Sequence, residues 1–156
     1  MKENASIRWL RSRSAAANAA ARLPELAADF FSAGRALAAA DSGPAEAHQF
    51  RIRTKRLRYT LELFQPCYGA GLKRRLDSLR GIQQLLGELN DLATIARLAN
   101  RPAIEELMKE RVTAKIGEFR RLWGEQFDRP GAEADWKRYL RGRPRRPVRK
   151  RVAAVG

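Results

Sequence analysis

His48, Arg51, Lys55 and Arg58 follow one another at intervals of three or four residues. That spacing lines up side chains on one face of a helix. Between Gln49 and Tyr59 the chain carries five cationic side chains and no carboxylate, and His48 is the protein's single histidine. A helix advances about 100° per residue, so His48, Arg51, Lys55, Arg58 and Glu62 fall within a sector of roughly 80°. Phe50, Leu57, Leu61 and Phe64 cluster on the opposite side. One helix thus has a packing face and a row of cations with an imidazole at its head. Arginine forks hold phosphate oxygens by directional hydrogen bonds, and lysine adds a mobile point charge. A protonated His48 would strengthen such binding at mildly acidic pH. The row suits a long polyanion better than one small substrate. Ile52 and Tyr59 flank it, which predicts a helix wedged between two layers. The Tyr59 hydroxyl either donates to a phosphate or packs. Arg53 and Arg56, taken singly, read as solvated surface residues.

A second group lies downstream, in Gln83-x-x-Leu86-Gly87-x-x-Asn90-Asp91. Gln83 and Asn90 point the same way as Leu72, Leu79 and Leu86. A buried amide without partners costs on the order of 1–3 kcal/mol, so both must bond in the core or face a polar groove. Glycine inside a helix costs about 1 kcal/mol relative to alanine. Gly87 is therefore expected where another helix or a ligand comes close. Lys73, Arg74, Arg75 and Arg80 add cations to the same segment. If the two segments are neighbouring helices, their cations line a shared groove.

The elements that must position these residues read as helical throughout. No segment alternates apolar and polar residues long enough to argue for a strand. A weak helix is expected from about Ala5 to Ala21. A second starts at Pro24, where a missing N–H costs nothing, and runs to Ala40 with Leu26, Phe30, Phe31 and Leu37 inward. Asp41-Ser42-Gly43-Pro44 is a break. The motif helix runs from about Ala45 to Gln65. A long helix follows, from about Leu72 to Ala99, with Leu72, Leu76, Leu79, Ile82, Leu86 and Leu89 as its stripe. The last begins at Pro102 and extends to about Phe127, with Ile104, Leu107, Val112, Ile116, Phe119 and Trp123 inward. Short connections between long helices predict an all-α, antiparallel four-helix bundle. In this reading, residues 1–22 form an N-terminal helix or arm, residues 23–140 form the bundle, and 141–156 form a basic, disordered tail. Trp136, Tyr139 and Leu140 are expected to dock back on the bundle.

The net charge of the 156-residue chain is +15, and the stretch from Lys137 to Arg151 holds nine basic residues and no acidic one. Phosphate-rich partners are implied: nucleic acid, inorganic phosphate polymers or an anionic membrane surface. The single cysteine, Cys67, excludes an internal disulfide, and one cysteine with one histidine gives no structural zinc set. No metal or other cofactor is expected. No apolar run approaches the roughly 20 residues needed to span a bilayer. The Ala-, Arg- and Ser-rich N-terminus has no signal-peptide hydrophobic core. Cys67 is too far along the chain from His48 for a nucleophilic dyad to be favoured. A phosphohydrolase needs carboxylates to hold a metal, and the motif helix offers only Glu62.

The ordered set His48-x-x-Arg51-Ile52-x-x-Lys55-Arg56-Leu57-Arg58-Tyr59-x-x-Glu62-x-Phe64 continues into Leu79-x-x-Ile82-Gln83-x-x-Leu86-Gly87-x-x-Asn90-Asp91. Together they resemble the CHAD (conserved histidine α-helical domain) family. The resemblance implies an all-α fold that binds inorganic polyphosphate without catalysis. It also implies a cytoplasmic protein associated with polyphosphate granules. By the family motif, His48, Arg51, Lys55, Arg56, Arg58 and Tyr59 are ligand candidates. Lys73, Arg74 and Arg75 join them by charge and helix proximity. A full domain of this family has two helical halves, each with a His-headed motif, and this chain resembles one C-terminal-like half. A homodimer, or a partner half-domain, is expected to supply the other. The alternative is a nucleic-acid-binding protein using the basic surface and the Arg-rich tail.

Overall fold

The structure, a computed structural model, describes residues 8–142. It contains five α-helices: α1 (Ala15–Ala38), α2 (Pro44–Leu63), α3 (Ala70–Leu98), α4 (Pro102–Gln126) and α5 (Ala132–Arg141). A single 3-10 turn, Gln65–Cys67, links α2 to α3. Among the described residues there is no strand. The expected tail lies, apart from Arg141 and Gly142, outside the described residues.

Cross-helix contacts fix the register. Phe30 meets Phe50 on α2 and Phe127 after α4. Arg58 on α2 meets Gln83 on α3, and Glu62 meets Arg80. Lys115 on α4 pairs with Glu88 on α3 at 2.6 Å. Rising numbers on α2 thus meet falling numbers on α3, so these two helices run antiparallel. An aromatic cluster of Phe30, Phe31, Phe50, Phe119, Trp123, Phe127 and Trp136 fills the centre. These rings sit about 5–6 Å apart in tilted, edge-on and stacked arrangements, which favours them beyond area burial alone. The expected stripes on α2 and α3 are buried, together with Leu85 and Thr54. Thr54 is a polar residue at 0% exposure, and its hydroxyl donates to the Phe50 carbonyl at 2.8 Å.

The N-terminal reading needs correction. One continuous helix replaces the expected pair, and Pro24 lies inside it. The missing N–H of Pro24 costs one backbone bond, yet Leu23, Leu26 and Ala27 around it are buried and hold the helix in place. The boundary drawn at residue 22 thus falls within α1, and Ala19 belongs to the core. The helix starts at Ser14, whose Oγ accepts the Ala17 N–H. Asn18 then braces the preceding turn by accepting from the Leu10 N–H and donating to the Leu10 carbonyl, both at 2.9 Å.

Two further differences appear at the other end. Ile104 and Leu107 are 41% and 46% exposed, and Met108 turns inward instead. Trp136, Tyr139 and Leu140 do dock back, and they do so as one face of α5, a helix the sequence reading left unassigned. Gly131 launches it at φ 80°, a conformation glycine adopts at little cost.

Candidate functional site

The α2–α3 pair carries the cationic row. Its core face, Ala47, Phe50, Thr54, Leu57 and Leu61, is buried. Arg58 and His48 meet α3 at the two ends of the row, and Arg51 and Lys55 lie between them on the same helical face. Glu46 fixes the start of α2 by accepting the Gly43 N–H at 2.9 Å. That hydrogen bond holds the Glu46 carboxyl below its ordinary value.

The structure distributes the nine candidate residues unevenly. Arg58 is committed: its Nε donates to Gln83 Oε1 and its Nη1 to Glu62 Oε1, each at 2.6 Å. Its side chain is only 14% exposed, and its guanidinium lies 4.3 Å from the centre of the exposed Tyr59 ring. Glu62 also meets Arg80 at 3.3 Å, and Asp77 holds Arg80 and Lys73. Arg58, Glu62, Arg80, Asp77 and Lys73 therefore form a chain of alternating charge that closes one end of the seam.

Arg51 and Lys55 have no carboxylate partner among the described residues. The Arg51 Nε is buried without any hydrogen-bond partner. Four residues separate the two side chains, about 6 Å along the helix axis. Gly87 lies one turn beyond Gln83 on α3, and a Cβ placed there would meet no atom within 4 Å. The expectation of a close helix crossing at Gly87 is thus incorrect, and the glycine faces open space. The amide of Gln83 is explained by Arg58. Asn90 and the exposed His48 line a cavity of about 450 Å³ with Thr94 and Arg97, at the opposite end of the seam.

Other candidates stand elsewhere. Arg56 is one residue on from Lys55, hence about 100° round α2, away from the seam. Lys73 and Arg74 are exposed on the first turn of α3. Arg75 does not reach the seam. It is wedged against α5, 3.9 Å from the centre of the Tyr139 ring and 5.6 Å from that of Trp136. Its Nη1 donates to the Gly71 carbonyl, and burial lowers its pKa. Proximity in sequence grouped Arg75 with Lys73 and Arg74, but a helix sends adjacent residues to different sides. Ile52 and Tyr59, expected between two layers, are 37% and 52% exposed.

Arg120 is a residue the sequence reading missed. It donates to the carbonyls of Ala38, Ala39 and Ala40 and so holds the α1–α2 turn that precedes the motif helix. Only the general tendency of cations to sit at helix C-termini hinted at it.

Residues 3–100 match the family model of the CHAD domain. Neither a curated protein nor a solved structure matches the chain.

Proposed function

This chain belongs to the CHAD family, and from that premise we propose that it binds inorganic polyphosphate without catalysis, along the α2–α3 seam. The CHAD domain is associated with polyphosphate binding. One observation in particular favours the reading. Among the described residues, Arg51 keeps a buried Nε with no acceptor, and Lys55, one turn further on, has no carboxylate partner. An unsatisfied buried donor costs about 1–3 kcal/mol, and an anionic oxygen entering the seam would recover that cost. Gly87 leaves room for it to approach.

The residues divide by role. Arg51 and Lys55 contact the phosphates directly. His48 extends the row at one end, and Lys73 and Arg74 at the other. Arg58 acts by holding the seam in register through Glu62 and Gln83, with Tyr59 beneath it. Arg56 contributes long-range charge from the outer side of α2. The protein meets its polymer in the cytoplasm, at polyphosphate granules.

The single His-headed motif further suggests a homodimer in which two copies of α2 face a common channel. Ile52, Tyr59 and Leu63 form an exposed, largely apolar line beside the row, suited to such a contact. Light scattering at micromolar protein, with and without polyphosphate, tests the dimer, and a monomer under both conditions ends that part of the reading. The binding itself is tested by competing polyphosphate against duplex DNA and ATP across a salt series. Polyphosphate should win at the seam, and Arg51→Gln with Lys55→Gln should remove the advantage. Equal losses from those variants and from Arg111→Gln would mean that only bulk charge matters.

A further inference from the structure

A second cationic surface is built around α5, which lies beyond the residues that match the family model. Arg35, Arg129, Lys137, Arg138 and Arg141 surround an open concavity of about 900 Å³ between α1, the α4–α5 turn and α5. Two carboxylates share that rim, Asp128 and Glu133. Glu133 accepts from Arg35 and pairs with Lys137, each at 2.7 Å, so one carboxylate positions two cations and leaves a net positive charge. Asp135 holds Arg138 at 2.8 Å, with 77% of the arginine side chain exposed. Surface pairs of this kind are weak and exchange readily for a phosphate.

The helix that carries these charges is firmly seated. Trp136 and Leu140 are buried, and the Leu140 carbonyl accepts the Tyr68 hydroxyl at 2.8 Å. The cations therefore project from a fixed platform, from which the sequence continues basic to Arg151. The floor of the concavity offers no apolar anchor: Phe31 and Phe127 are 1% and 3% exposed. A protein partner or a membrane surface would need exposed aromatic or aliphatic side chains here. A single strand would need rings on which bases could stack. Charge from three separate elements, spread across a broad hollow, matches phosphates presented by two strands rather than in single file.

We propose that the α5 surface binds the phosphate backbone of duplex nucleic acid, independently of sequence and separately from the α2–α3 seam. The full-length chain should bind a labelled random-sequence duplex DNA in fluorescence anisotropy across a salt series. The triple variant Arg129→Gln, Arg138→Gln, Arg141→Gln should weaken duplex binding about tenfold or more and flatten the logarithmic salt slope by roughly 2–3. Its polyphosphate affinity should remain within about threefold of the parent, since only screened long-range charge is lost there. A control with the same charge loss, Arg101→Gln, Lys109→Gln, Arg111→Gln, should leave duplex affinity within about threefold. All five arginines and the lysine are exposed, so far-UV circular dichroism and melting should match the parent. Intact duplex binding in the α5 variant, an equal loss in the control, or an equal loss of polyphosphate affinity overturns the proposal. Absence of polyphosphate binding by the parent would overturn the seam reading alone, because the duplex comparison is scored without it.

Discussion

The side-chain amide of Gln83 accepts the Arg58 Nε–H at 2.6 Å, joining the last third of α2 to the middle of α3. The pair explains why an amide interrupts a leucine stripe. Gln83→Leu should leave that guanidinium donor half-buried and unmet while Glu62 still holds the other end. Urea unfolding should show a loss of about 1–3 kcal/mol, within the range for a hydrogen bond to a charged group.

Arg51→Met should separate stability from binding. The substitution keeps the aliphatic stem and removes a buried donor that has no partner. Stability should hold or rise by up to about 1 kcal/mol. Polyphosphate affinity should fall about tenfold or more, with a shallower salt slope. A drop in melting temperature comparable to that of Gln83→Leu would assign Arg51 a structural role instead.

Two glycines should respond oppositely to alanine. A Cβ on Gly34 would lie 2.1 Å from Trp123 Cη2, so Gly34→Ala must displace the central indole. Overpacking of that kind costs about 1–3 kcal/mol. Gly87→Ala meets nothing and should gain up to about 1 kcal/mol from helix propensity. Gly117→Ala, equally open, is the reference for binding. If a polymer lies against Gly87, polyphosphate affinity falls in Gly87→Ala and not in Gly117→Ala. Denaturant titrations and binding isotherms on the same three variants decide both points.

Glu46 makes α2 sensitive to acid. Its carboxyl titrates below the ordinary value of 4.5 because the Gly43 N–H bonds the charged form. A group with a lowered folded-state pKa stabilises the fold above its unfolded value, and that contribution disappears as pH falls through the lowered one. Melting curves for the parent and Glu46→Gln should therefore differ most near neutrality and converge below pH 4.5. A gap that persists unchanged in strong acid would remove the carboxylate from the account.

Much of the fold was legible because periodicity reports burial. Phe50, Leu57 and Leu61 on α2, and six apolar positions on α3, face inward as their spacing requires. The N-terminus was misread because Pro24 is a favourable first residue of a helix, a local start signal that packing around Leu23 and Ala27 overrides. Helix α5 was missed because ten residues give barely three turns of pattern. Within the site, spacing placed Arg51 and Lys55 on one face but could not reveal that Glu62 and Gln83 occupy Arg58. That distinction depends on which side of α3 meets α2. Arg75 was misplaced for the same reason: its surroundings, Tyr139 and Trp136, lie over 60 residues away in the chain.

The family match stops at residue 100, yet Phe119, Trp123 and Trp136 supply the rings against which Phe30, Phe31 and Phe50 pack. The unit that kinship recognises is thus smaller than the unit that folds. A chain ended at the edge of the match would carry every motif residue and lack the aromatic half of its own interior.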